Sequence, residues 1–330
     1  KHINGDIYFG KDEVNSLFKE IKEKTKRNPN YPTEIEEKVE YTIKSMLVIT
    51  KQTKKINPKE LTDKELIKTF MQSYQAIAEL TAFMSFKGTV QMSDVLEKET
   101  RNIIKSKIKE IDEVHKTFLL LSLPEKDSFM WKERKSLWKV KAGKKSIQTH
   151  TEEFAWMGCV MWQGFPFKED HFKKQLQNIK EPEKLSKQAQ KKKEEREKQI
   201  ENITKDFTEE EKLTIKQFRA WAHLRTYIKE NTSIGMGPTI PLLKEIAKRT
   251  NTTYKDLLYL SHKELQEIFT EKETIIKESK ERQKGWGFLL LENKATYYNN
   301  KTVKEIEESE EKLTSGVKGF PAFQGIVKGK

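Results

Sequence analysis

The sequence has little of several residues that would narrow its chemistry. One cysteine, Cys159, stands among 330 residues, so no internal disulfide can form and no cysteine-based zinc site is available. A reducing, cytoplasmic location is the expectation. No run approaches the ~18 consecutive apolar residues that a membrane span needs, so no membrane partner is expected. Arginine is scarce: eight of the 64 basic residues are arginine and 56 are lysine. Specific readers of nucleic acid lean on arginine for bidentate contacts to bases and phosphates. The net charge of +13 therefore reads as lysine-rich helix faces in solvent, interleaved with 51 acidic residues, and nucleic acid is an unfavoured partner. Glycine-rich nucleotide loops are missing. The one dense break, GMGP at 235–238, lacks the Lys-Ser or Lys-Thr that a phosphate loop needs and reads as a turn. The six histidines show no HExxH spacing, so no helical metal site is signalled.

What is present is helical periodicity. Val14, Leu17, Phe18 and Ile21 fall on one helix face, after a short hairpin or irregular entry at INGDIYFG, 3–10. Thr33 with Glu36 and Thr62 with Glu65 read as capping boxes. Met92 to Leu121 reads as one long helix ended by Pro124, Phe129 to Val140 as another, and Thr149 to Trp162 as a short apolar one. From Glu181 to Phe207 the charge is dense and alternating. With no glycine, and with Pro182 near its start, this stretch reads as a bridging helix in preference to a disordered linker. Thr208 opens the next helix, and Ser261 with Glu264 caps a later one. GWGFLLLENKATYYNN at 285–300 reads as a β-hairpin around the polar ENK.

Few residues stand out as chemistry. His150 lies just before TEEFAW and either packs in the core or lines a cleft with Trp156 and Trp162. RAWAHLRTY places Arg219 and His223 four apart, on one helix face, with Arg225 flanking. Such a cluster either holds a phosphate or carboxylate, or ties the helix to acidic neighbours. Trp156, Trp162, Phe165 and Phe167 either cap a small-molecule pocket or pack between helices.

The chain ends on KGFPAFQGIVKGK, a glycine-studded apolar stretch that reads as the start of a β-domain, so the chain is expected to be a piece of a longer protein. This stretch resembles the opening of the swivelling phosphohistidine domain of the phosphoenolpyruvate-utilising enzymes. Gly319, Pro321, Ala322, Gly325 and Gly329 occupy that pattern's places, and Phe323 stands where serine is usual. LRTYIKENTSIGMGPTIPLLKEIAKRTNTTYKDLLYLSHKELQEIF is similar to the helical region before that domain in synthase-like and rifampicin-phosphotransferase-like relatives. The resemblance covers about 210–330.

The resemblance implies phosphoryl transfer from ATP, with Mg, through a carrier histidine on the swivelling domain to an acceptor. His150 follows Thr149 and His262 follows Ser261, but neither lies in the swivelling-domain stretch where the resemblance puts the carrier, so no catalytic residue is expected in this chain. The ATP-grasp and phosphohistidine domains of the same polypeptide are the implied partners, and Gly316 and Gly319 would form the hinge. A small-molecule phosphoryl acceptor is implied as a ligand. The expected fold is mainly α: an elongated multi-helix body with a small hairpin near 286–299 and a β-type C-terminal tail. Its expected divisions are a helical subdomain at 1–180, a bridge at 181–207, a second subdomain at 208–315, and the start of a truncated domain at 316–330. The alternative reading is a non-catalytic helical adaptor that binds protein or nucleic acid.

Overall fold

A computed structural model describes residues 2–3, 6–7, 11–85, 89–160, 162–291, 294–298 and 300–313. The fold is mainly α. Contacts divide the chain into one unit at Lys11–Arg249 and another formed by Lys1–Gly10 with Thr250–Lys330. This division runs otherwise than the one read from composition. The hinge glycines Gly316 and Gly319, and the whole β-type tail, lie outside the described residues.

The first unit holds α1 (Lys11–Arg27), α2 (Tyr31–Thr53), α3 (Asp63–Ser85), α4 (Thr89–Lys107), α5 (Ile111–Leu121), α6 (Phe129–Lys141), α7 (Ile147–Phe154), α8 (Glu169–Gln177), α9 (Pro182–Thr204), α10 (Glu209–Met236) and α11 (Ile240–Arg249). Its core gathers Val39, Ile43 and Met46 of α2, Ile77 and Leu80 of α3, Leu96 and Ile104 of α4, and Trp221, Leu224 and Ile228 of α10. These positions recur at helical spacing, which is why each stripe can face the same interior. The charged 181–207 stretch is helix α9, started by Pro182 and buried at Ile200. The capping boxes at Thr62–Glu65 and Thr208–Glu211 are formed.

Three local readings are corrected. The capping box at Thr33 does not form, because α2 begins two residues earlier with Pro32 in its first turn. The Thr33 hydroxyl instead accepts from Gln217 of α10, 3.4 Å away. The long helix expected over 92–121 is two helices. Glu110 caps the second by accepting from the N–H groups of Asp112 and Glu113, and the break lets Phe118 and Leu121 join the core that holds Leu96 and Ile104. The helix expected over 149–162 ends at Phe154 and gives way to a 3-10 turn at Ala155–Gly158 and a two-strand ribbon. That ribbon is β3 (Cys159–Val160) with β4 (Gln163–Gly164), antiparallel. Gly164 needs its φ of +77°, and a Cβ there would strike the Gly158 carbonyl oxygen.

The second unit carries a sheet in the order β2-β1-β5-β6, formed by β1 (His2–Ile3), β2 (Asp6–Ile7), β5 (Gly287–Leu291) and β6 (Lys294–Tyr298). The expected hairpin is β5–β6, with Leu291 opposite Lys294. Its helices are α12 (Tyr254–Leu257), α13 (His262–Glu267), α14 (Lys272–Arg282) and α15 (Asn300–Leu313). A polar net ties α12, α13 and α14 together. Arg282 donates to both oxygens of Glu264 at 2.7 Å and to the Tyr259 carbonyl at 3.0 Å, and Ser279 donates to the Asp256 carbonyl at 2.6 Å.

Candidate functional site

Helix α6, FMWKERKSLWKVK, positions the site. Its Ser128 N-cap accepts from the Trp131 N–H at 3.3 Å, and the Glu230 carboxylate of α10 accepts from the Phe129 N–H at 3.4 Å. With its start held at both points, α6 presents Met130, Arg134, Leu137 and Trp138 at helical spacing. Helix α9 answers with Leu185, Gln188, Ala189 and Lys192, again three or four apart. Between them, with Phe167 and Met157 at the back and Gln175 and Ile179 of the α8 end beside them, lies a groove of about 930 Å³. Its lining is mostly apolar and aromatic, as ligand-binding clefts are. Trp131 and Met130 stand at its edge, 43% and 68% exposed.

Behind the groove wall sits a buried polar chain. Lys145 Nζ donates to Ser136 Oγ at 2.8 Å and to Glu153 at 2.5 Å. Ser136 Oγ lies 3.0 Å from His150 Nδ1. His150 Nε2 lies 3.3 Å from Glu133 Oε1, too far off line for either atom to count as hydrogen bonded. Glu133 lines the groove. The His150 ring is fully buried, with Phe154 at 5.1 Å and Phe172 edge-on at 4.6 Å.

The other residues singled out in the sequence are held by separate partners. Trp156 donates its indole N–H to the Glu153 carbonyl at 2.9 Å and packs edge-on to Phe129 at 5.3 Å. Phe129 stacks on Tyr227, and Tyr227 on His223, so Trp156 and His223 end one aromatic row. Trp162 donates to Thr239 Oγ1 at 2.8 Å and stacks on Tyr74. Arg219 is buried on α10, where Nη2 reaches both oxygens of Glu197 at 2.8 Å and Nε the Leu123 carbonyl at 2.9 Å. Those donors tie α9 and the α5–α6 connection to α10. Arg225 points elsewhere, exposed, and its charge is felt by Asp94, whose carboxyl burial still holds above the usual range. His223 is pushed down to about 4, by burial first and then by Lys126 and Lys132. A neutral imidazole is a poor anchor for an anion, so the RAWAHLRTY face reads as a structural joint. Phe165 stays exposed with Lys244 over its ring, whereas Phe167 stacks on His171 and enters the groove.

Trp131, Trp138, Glu133, Ser136 and Lys145 carried no signal strong enough to single them out in sequence. The spacing of Trp131 and Trp138, seven apart on one helix, was the available clue, but nothing local says which partner that face meets. Among the described residues no group of three His, Cys, Asp or Glu side chains is placed to hold a metal, and no helix is long and apolar enough to cross a membrane.

Comparison with known proteins finds no matching family model, no matching curated protein and no matching solved structure.

Proposed function

We propose that this chain is the connector and acceptor-binding region of a phosphoenolpyruvate synthase-like phosphotransferase. The polypeptide that carries it would move a phosphoryl group from ATP to a histidine outside this chain, and from there to a small molecule seated in the α6–α9 groove. The observation that carries the acceptor site is the groove itself, about 930 Å³ with Trp131, Trp138, Phe167 and Met157 around it. The class of reaction rests on the resemblance of the 210–330 segment and its glycine-studded end. Phosphoryl transfer depends heavily on positioning, so a rigid helical body that holds the acceptor is a fitting part of such an enzyme. ATP and Mg would be bound by the ATP-grasp domain outside this chain.

The test uses the full polypeptide, incubated with Mg and ATP labelled in its phosphates. An acid-labile label on a histidine is expected, and an acceptor discharges it. Trp131→Glu, at the exposed edge of the groove, should leave labelling intact and slow discharge. A polypeptide that never takes up the label removes the phosphotransferase reading. The adaptor reading then moves forward, favoured by the exposure of Met130 and Trp131 at the groove edge.

A further inference from the structure

The order of donors along the buried chain can be read from chemistry. An ammonium only donates, so Ser136 Oγ accepts from Lys145 Nζ at 2.8 Å. The serine's own proton is then free for His150 Nδ1, 3.0 Å away. An accepting Nδ1 leaves the ring proton on Nε2. That N–H faces Glu133 Oε1 at 3.3 Å, and both atoms are fully buried without a well-formed bond. The ring is packed against Phe154 and Phe172 and has no solvent to turn into. Every link is therefore directed towards Glu133, and Glu133 is where the chain meets the groove.

A carboxylate offers about four lone-pair sites, and His150 faces one oxygen. The Glu133 side chain keeps 14% of its surface open, and the residue lines the groove. Among the described lining residues it is the carboxylate. Gln175, Asn178 and Gln188 are amides that either donate or accept, and Arg134 and Lys192 are cations. Arg134 lies over the Trp131 ring at 6.0 Å.

We infer that Glu133 is the groove's hydrogen-bond acceptor for a hydroxyl or amino group on an aromatic ligand, and that the Lys145–Ser136–His150 chain positions it. This inference rests on the groove being a ligand site, as in the proposed function, and adds the polar group by which the ligand is chosen. The aromatic lining takes the ring, while Glu133 takes the donor at its edge.

The experiment is isothermal titration of the full chain with three probes of one ring system: 2-naphthol, which donates, 2-methoxynaphthalene, which cannot, and 2-naphthoate, which is an anion. A charge-assisted hydrogen bond should favour 2-naphthol over 2-methoxynaphthalene by about tenfold. Glu133→Gln should bring the two within about twofold of each other, and Ser136→Ala should shrink the preference without closing the groove. His150→Phe should do the same, and circular dichroism reports whether each variant folds. Equal affinity of the first two probes in the unaltered chain overturns the donor role and leaves the groove standing. Tightest binding of 2-naphthoate, lost in Arg134→Gln, overturns it in favour of an acid site. No binding of any probe removes the groove, and with it the acceptor site of the proposed function. Loss of histidine labelling alone leaves the Glu133 result untouched.

Discussion

The sharpest consequence of the structure concerns acid and His223. The ring is 4% exposed, stacked on Tyr227 at 5.0 Å, with Lys126 and Lys132 near enough to oppose its charge and Asp127 opposing them. Together burial and the two lysines lower its pKa from 6.5 to about 4. A histidine lowered on folding contributes stability above its unfolded value, and that stability is lost as the pH falls from about 6.5 towards about 4. Each pH unit between those two values is worth about 1.4 kcal/mol, so the full contribution is about 3 kcal/mol. Between about pH 7.5 and about pH 5 the share already lost is about 2 kcal/mol. The assay is urea unfolding at both values and constant salt, followed by tryptophan fluorescence, since five of the six tryptophans lie within residues 11–249. His223→Gln removes the titrating ring, so its loss over the same interval should be smaller by about 2 kcal/mol. The carboxylates of this unit, such as Glu230 with its burial-raised pKa, titrate alike in both proteins and cancel in the difference. Equal losses in the two proteins, or a wild type that gains stability at the lower pH, would refute the reasoning.

Three other outcomes follow from named contacts. Arg219→Lys should cost about 2–3 kcal/mol in the same assay, because an ammonium cannot hold both Glu197 oxygens and the Leu123 carbonyl, and the half-exposed Glu197 limits the loss. Gly235→Ala should destabilise by about 1–2 kcal/mol despite alanine's better helix propensity, because the new methyl meets Met46 Sδ at 2.8 Å and Ile77 Cγ1 at 2.9 Å. A stabilised variant would show that the α2–α3–α10 packing has room to spare. Cys159 is buried and its thiol is pushed up to about 11, burial outweighing Lys244. A disulfide reagent at about pH 8 should therefore modify the folded chain at least tenfold more slowly than the urea-unfolded chain.

Periodicity was enough to read the mainly α class and the β5–β6 hairpin, because both depend on spacing within a few residues. Capping boxes at Thr62 and Ser261 were legible for the same reason. The Thr33 box was not, since a helix start at Tyr31 left that hydroxyl for Gln217, a residue far along the chain. The single helix expected over 92–121 failed because its apolar stripe continues through the break. Only the return of Phe118 and Leu121 to the core shows why the chain turns at Glu110.

The candidate residues divide in the same way. That Arg219 and His223 share one helix face was visible in the sequence, because helical spacing alone assigns a face, whereas Trp156 and Trp162 fall in the turn and ribbon that replace the expected helix. What each face meets was not. Arg219 is tied to Glu197, 22 positions away, and Trp162 to Thr239, 77 positions away. The groove needs α6, α8 and α9 together, and the Lys145–Ser136–His150–Glu133 chain needs α6 against α7. Local spacing by itself determined the mainly α class, the β5–β6 hairpin and the caps at Thr62 and Ser261, since those follow from backbone geometry over a turn or two. Only the tertiary structure decided which buried polar groups are satisfied and which meet at an open groove, because that depends on contacts between segments whose separation no local pattern encodes.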